Sequence, residues 1–182
     1  VFDNVMLYLM FFYTDIAGLP AAFIGSMFLV TRILDAISDP CMGLLADRTR
    51  TRWGKFRPWL LWASIPFGIS CVLTYTVPDL SLTGKMVYAT ITYICLTLMY
   101  TIVNIPYCAL GGVITSDPQQ RMSLQSWRFV LATAGGMLST ALMMNLVDWF
   151  GGGDKAFGFK ASITLLSVIA VVMFFICFST TK

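Results

Sequence analysis

Apolar residues run along this chain in long unbroken blocks, and the polar residues between them come in short clusters rich in glycine, proline and charge. Six blocks can be marked: Val1 to Tyr13, about Ala21 to Ala46, Pro58 to Val77, Gly84 to Ile114, Leu124 to Phe150 and Ala161 to Phe178. A helix needs about 20 largely apolar residues to cross a bilayer. The last five blocks therefore predict spanning helices, and the first predicts a span that lacks its beginning. The connections, Asp15 to Pro20, Asp47 to Arg57, Pro78 to Thr83, Thr115 to Met122 and Gly151 to Lys160, are polar and brief, as between antiparallel neighbours in a helical bundle. Alternating strand patterns are missing, which speaks against a closed membrane barrel. The expected fold is all-α and membrane-embedded.

Composition sharpens this reading. Hydrophobic residues make up 58% of the chain and charged ones 12%, with a mean hydropathy of +0.79, outside the range of soluble domains. That leaves no room for a soluble or nucleic-acid-binding domain, and membrane lipid is the expected surrounding. Cys41, Cys71, Cys95, Cys108 and Cys177 lie in apolar stretches without metal or redox spacing, and they read as small packing residues. Histidine and glutamate are absent, so proton chemistry falls to aspartate. The start at Val1 has neither an initiator methionine nor the charged and cleavage regions of a signal peptide, and the sequence reads as a fragment.

The positions of the charges predict orientation. Arg48, Arg50, Arg52, Lys55, Arg57, Arg121 and Lys182 share one side of the bundle, whereas the other side has Lys85, Lys155 and Lys160 with Asp15, Asp79, Asp148 and Asp154. The positive-inside rule makes the first side cytoplasmic.

The second block places Arg32, Asp35 and Asp39 in what should be hydrocarbon. Each charge costs about 2.5 to 3.5 kcal/mol there on insertion scales, so the three must compensate one another. Their i,i+3 and i,i+4 spacing puts them on one helical stripe. Two carboxylates a turn apart repel when both ionise, a conflict relieved by a proton on one or by a cation such as Na⁺ between them. Pro40 cannot donate to the carbonyl of Ala36, which frees that oxygen to face a cavity or an ion. The competing reading is a buried salt bridge of Arg32 with one aspartate, which leaves the second carboxylate unexplained.

In the fourth block Thr97, Thr101, Asn104 and Cys108 share a face that Gly111 continues. Thr101 and Asn104 can offer neutral oxygens to a cation or hydrogen bonds to a hydroxyl-bearing ligand. Tyr93, Tyr100 and Tyr107 recur every seventh residue, a stripe suited to interhelical packing and also to stacking on a ligand. Pro106 is expected to loosen this helix. In the fifth block Arg128 follows Trp127; its planar fork suits vicinal hydroxyls or a carboxylate across the bundle, and an interfacial anchor is the alternative. Ala132, Gly135, Gly136 and Ser139 form a small-residue face expected to contact a neighbouring helix closely. The loop from Asp47 through Arg48, Arg52 and Lys55 reads as a positive-inside anchor and also as a gate in which ion pairs hold the cytoplasmic helix ends together.

The stretches FFYTDIAGLPAAFIG, TRILDAISDPCMGLLADRTRTRWGKFRPW, YTIVNIPYCALGG and SWRFVLATAGG resemble the glycoside-pentoside-hexuronide:cation symporters, the melibiose-carrier branch of the major facilitator superfamily. The resemblance runs over essentially the whole chain. It implies that residues 1–182 are the amino-terminal six-helix half of such a transporter, with a truncated first helix and with the carboxy-terminal half as partner. It implies further that Asp35 and Asp39 bind the coupling cation with Thr101 as an added oxygen donor, that Arg128 is a sugar ligand, and that Arg32 occupies a cavity position. Asp47 and the basic residues after it match the superfamily's loop between spans two and three.

Two departures stand out. Asn104 and Cys108 replace an acidic sugar ligand and a tryptophan of the melibiose carriers, so galactoside specificity does not carry over. The family's first-span sugar ligand would precede Val1, where Asp3 and Asn4 lie nearby. The expected activity is Na⁺- or H⁺-coupled symport of a glycoside, pentoside or hexuronide across the bacterial inner membrane, with Arg128, Asn104, Arg32 and Tyr107 as substrate ligands and with no cofactor. A rival is an intramembrane metal-dependent phosphotransferase built on Asp35, Asp39 and Asp47, although the D-G-x-x-A-R segment of such enzymes is missing.

Overall fold

The computed structural model describes residues 2–52, 54–76, 78, 80–113 and 117–180, leaving out the side chains of residues 2–5, 7 and 113. Asp79 and Lys182, both counted for orientation, lie outside the described residues, as do the side chains of Asp3 and Asn4. The elements are α1 (Phe2–Phe11), a π turn (Phe12–Ile16), α2 (Ala21–Arg48), α3 (Arg57–Thr74), α4 (Leu82–Val113), α5 (Pro118–Gly151) and α6 (Lys155–Thr180). Among the described residues there is no strand, only an isolated bridge between Thr51 and Gly54. The helices α2, α4, α5 and α6 are long and apolar enough to cross a membrane, as an all-α membrane bundle requires.

The helix ends depart from the hydropathy blocks where capping groups lie in polar sequence. Asp117 precedes α5 in an extended conformation and accepts from the Gln119 N–H at 2.9 Å, with Pro118 at the first helical position. This combination satisfies an otherwise orphaned donor. Asp154 does the same for α6, accepting from the N–H groups of Ala156 at 3.0 Å and Phe157 at 3.3 Å. Both helices consequently start well before the apolar residues that marked them. The first block continues through the π turn, in which the Ala17 N–H reaches the Phe12 carbonyl at 2.9 Å. Gly18, at φ +72°, then reverses the chain.

α3 packs between α4 and α6, while α2 leans on α4 and α5 on α6. In lipid such contacts rest on close fit and interhelical hydrogen bonds more than on exclusion of water, and tyrosine supplies several of those bonds. Tyr8 donates to the Thr140 carbonyl at 3.0 Å, joining α1 to α5, and Tyr13 donates to the Thr74 carbonyl at 3.3 Å, joining the π turn to α3. Tyr88 reaches back from α4 to the Leu73 carbonyl at 2.9 Å. Around them Phe12, Tyr75 and Phe159 form an aromatic knot, with Phe12 and Tyr75 centroids 4.8 Å apart and Tyr75 stacked on Phe159 at 6.2 Å. This knot ties the end of the bundle opposite the α2–α3 loop.

At that same end α5 and α6 touch backbone to backbone. A Cβ at Gly158 would overlap the carbonyl oxygen of Val147 and stand 3.0 Å from its Cγ1. The small-residue face expected to make a close contact does not make this one. Nothing lies within 4 Å of a Cβ at Gly135 or Gly136, and Ala132 is exposed. The face turns away from α6, whose crossing with α5 lies further along at Gly151 and Gly158.

At the basic end Arg57 opens α3 and donates to the Phe178 carbonyl on α6 at 2.6 Å, with its guanidinium 5.0 Å from the Phe178 ring centroid. The sequence reading counted Arg57 as one loop charge among several. The structure makes it a cap on the far end of α6, where a cation meets the partial negative charge of the last carbonyls.

Candidate functional site

Two polar clusters share α4. The first lies where α4 meets α2. Arg32, Asp35 and Asp39 occupy one stripe of α2, as their spacing predicted. Arg32 does not sit between the carboxylates; its Nη1 stands 3.8 Å from Asp35 Oδ2, with the arginine side chain 72% exposed and that of Asp35 21% exposed. Asp39 is engaged elsewhere, accepting from Thr101 Oγ1 at 3.0 Å. The other Asp35 oxygen, Oδ1, is buried and has no hydrogen-bond partner. A buried carboxylate oxygen in that state is costly unless a proton or cation answers it. The donor set, two carboxylates and a hydroxyl, consists of the hard oxygens that suit an alkali cation.

The second cluster lies between α4 and α5, in an open cleft of about 980 Å³ lined by Tyr100, Asn104, Tyr107, Trp127 and Arg128, among others. Arg128 is held by neutral groups. Its Nη2 donates to Cys108 Sγ at 3.0 Å, its Nη1 to Gln125 Oε1 at 3.4 Å, and its guanidinium lies 4.5 Å from the Tyr107 ring centroid. Cys108 in turn donates to Asn104 Oδ1 at 3.7 Å. Gln125 escaped the sequence reading, although its i,i+3 spacing from Arg128 was a usable signal.

The tyrosine stripe changes role along α4. Tyr93 is buried in packing, 5.1 Å between centroids from Phe28 and with its hydroxyl 3.2 Å from Met6 Sδ. Tyr100 meets Phe67 at 6.4 Å and also lines the cleft. Tyr107 belongs to the cleft alone of these two roles, under the arginine.

Both clusters therefore hang on one helix. Thr101 and Asn104 are a single turn apart, about 4.5 Å along the axis. Helix α4 runs through Pro106 without a break, although the proline leaves the Ile102 carbonyl without its usual donor.

The residues read as a gate lie apart from both clusters. Asp47 and Arg48 end α2, exposed, and among the described residues Asp47, Arg48 and Lys55 form no ion pair with one another. The loop that includes Arg52 is braced instead by the Thr51 hydroxyl, which donates to the Gly54 carbonyl at 2.7 Å, and by Trp59 Nε1, which donates to Thr49 Oγ1 at 3.1 Å. Asp47 lies about 12 Å along α2 from Asp39. Among the described residues no three histidine, cysteine or acidic side chains are grouped to hold a metal ion. The phosphotransferase reading needs Asp35, Asp39 and Asp47 on one ion, and the separation of Asp47 from the other two gives it no support.

A multi-pass helical bundle with a charged stripe in one span and a polar cleft between two others is the framework of a membrane transporter. The chain belongs to the MFS/sugar transport protein family, whose model matches residues 3–182, and the resemblance drawn from the motifs is borne out. It is 72% identical over 182 residues to the inner membrane symporter YicJ of Escherichia coli (strain K12) and 54% identical over the same length to YagG of that strain, named as a proposed glycoside/cation symporter. It is 44% identical to an isoprimeverose transporter of Lactiplantibacillus pentosus. Each alignment takes in the whole of this chain but only 40%, 40% and 38% of the respective relative.

Proposed function

We propose that this chain is the amino-terminal half of a cation-coupled sugar symporter of the bacterial inner membrane. The basic end faces the cytoplasm, and a carboxy-terminal half completes the cavity. The names of the relatives, which speak of symport, of glycoside and cation, and of isoprimeverose, support the activity. The coverage supports a second half, since the chain spans only 40%, 40% and 38% of these three relatives.

One observation carries the coupling. Thr101 holds Asp39 while Asn104, one turn further along the same helix, faces the sugar cleft. Na⁺ or H⁺ is taken up at Asp35 and Asp39, with the Thr101 hydroxyl as neutral donor, and the position of α4 is then favoured in which Asn104, Tyr107 and Arg128 meet the sugar. Each ligand raises the affinity for the other by the same factor. Arg32 partly offsets the two negative charges and gives the cavity a further donor. Asp47, Arg48, Arg52 and Lys55 act as a cytoplasmic gate by pairing across to the other half in one of the alternating states.

The test is uptake of a labelled glycoside, pentoside and hexuronide panel by the full-length protein, with and without Na⁺ and a proton gradient. Asp35→Asn and Asp39→Asn variants are expected to lose gradient-driven accumulation while keeping sugar exchange. Accumulation by both variants would refute the coupling site.

A further inference from the structure

We propose that Cys108 is a positioning residue of the cleft, whose thiol aims the Arg128 guanidinium and turns the Asn104 amide toward the ligand. The inference rests on the sugar-binding reading of the cleft. It concerns a side chain read from the sequence as a small packing residue on the face of Thr101 and Asn104 and as a departure from the family pattern.

The geometry is a relay. The sulfur accepts from Arg128 Nη2 at 3.0 Å, and the thiol proton goes to Asn104 Oδ1 at 3.7 Å. A thiol is one of the few small groups that accepts and donates at once. With its oxygen occupied by the thiol, Asn104 has its NH₂ as the free end for a ligand oxygen. Arg128 is held on one edge by Cys108, on another by Gln125, and on its face by Tyr107, so its remaining N–H groups are directed.

An unheld arginine side chain carries considerable rotamer entropy, part of which binding must remove. Fixing it beforehand lowers that cost and leaves the affinity for hydroxyls to the ligand contacts. None of the three partners carries charge, so the guanidinium keeps its full positive potential for the ligand. A carboxylate in the same place would hold it as firmly but neutralise it. Cys108 has no direct part in the cation cluster, where the contact is between Thr101 and Asp39.

The experiment compares Cys108→Ser, Cys108→Ala and Cys108→Val in the full-length protein, using the sugar of the panel that the parent protein accumulates. Serine keeps a donor and an acceptor, and its KM is expected to stay near the parent value. Alanine and valine are expected to raise KM about tenfold, the loss of one hydrogen bond to a charged group, with maximal rate and cation dependence little changed. A parent-like KM for alanine, or a serine variant as weak as alanine, overturns the positioning role.

Thiol alkylation of the unmutated protein, followed by peptide mass spectrometry, tests the placement without any substitution. Saturating sugar is expected to slow the reaction at Cys108 but not at the exposed Cys41 on α2; equal protection at both, or at neither, also overturns it. A parent protein that moves no sugar of the panel would instead bring down the sugar reading itself.

Discussion

The Thr101 hydroxyl on α4 donates to the Asp39 carboxylate on α2 across 3.0 Å, the point at which the charged stripe of one helix is tied to the polar face of another. A hydrogen bond to a charged group contributes about 1.5 to 3 kcal/mol. Thr101→Ala is therefore expected to weaken apparent cation affinity by roughly tenfold or more, whereas Thr101→Ser keeps the hydroxyl and stays close to the parent. The cation dependence of sugar uptake measures this, and an alanine variant with unaltered cation affinity would remove Thr101 from the site.

Arg128 should tolerate no substitution by lysine. Lysine retains the charge but cannot lie flat on Tyr107 while reaching both Cys108 and Gln125, because an ammonium is a point charge with no planar fork. We expect Arg128→Lys to raise the sugar KM by about tenfold or more, from the loss of a cation–π contact and of hydrogen bonds made by a charged donor. Equal KM values for the lysine variant and the parent would show that the charge alone matters.

Gly158→Ala is expected to destabilise the bundle without touching either polar cluster. Its methyl group would overlap the Val147 carbonyl oxygen and crowd Val147 Cγ1, and both belong to packed helix. Overpacking of this kind costs about 1 to 3 kcal/mol. A lower thermal midpoint of the purified protein is the readout, with Gly136→Ala, which has nothing within 4 Å of the added carbon, as the tolerant comparison within this half.

Arg57→Lys keeps a cation at the head of α3 but loses the planar stack on Phe178. A cation–π contact contributes about 0.5 to 2 kcal/mol, and the variant is expected to be less stable by roughly that amount. Cysteines placed at the facing ends of α3 and α6 should also cross-link over a wider range of reagent lengths in the variant than in the parent. Identical cross-linking in both would deny Arg57 a role in joining those ends.

Hydropathy blocks made the helices legible because the bilayer accepts few other backbones. The stripe of Arg32, Asp35 and Asp39 was legible for a similar reason, since helical periodicity puts residues three and four apart on one face. The helix starts at Pro118 and Lys155 were not, since their caps, Asp117 and Asp154, lie in polar sequence ahead of the apolar runs. The π turn leaves no hydropathy trace at all, being a change of hydrogen-bond register.

Which helix a given face meets was the hardest part to read. Ala132, Gly135, Gly136 and Ser139 announce a close contact but name no partner, and the α5–α6 contact falls elsewhere. The link between Arg57 and Phe178 joins residues 121 positions apart, beyond any local pattern. The alignment of Thr101 with Asp39 came from family likeness, because spacing within one helix says nothing about the rotation of its neighbour.

The backbone contact at Gly158 and the arginine bridge at Phe178 fasten α6 at its two extremities, to α5 at one and to α3 at the other. Arg128 rides on α5 about 28 Å along the helix axis from that contact, so the fastening at Gly158 does not reach its end of the helix. Any rearrangement that parts α5 from α3 across α6 has therefore to give up one of these two fastenings.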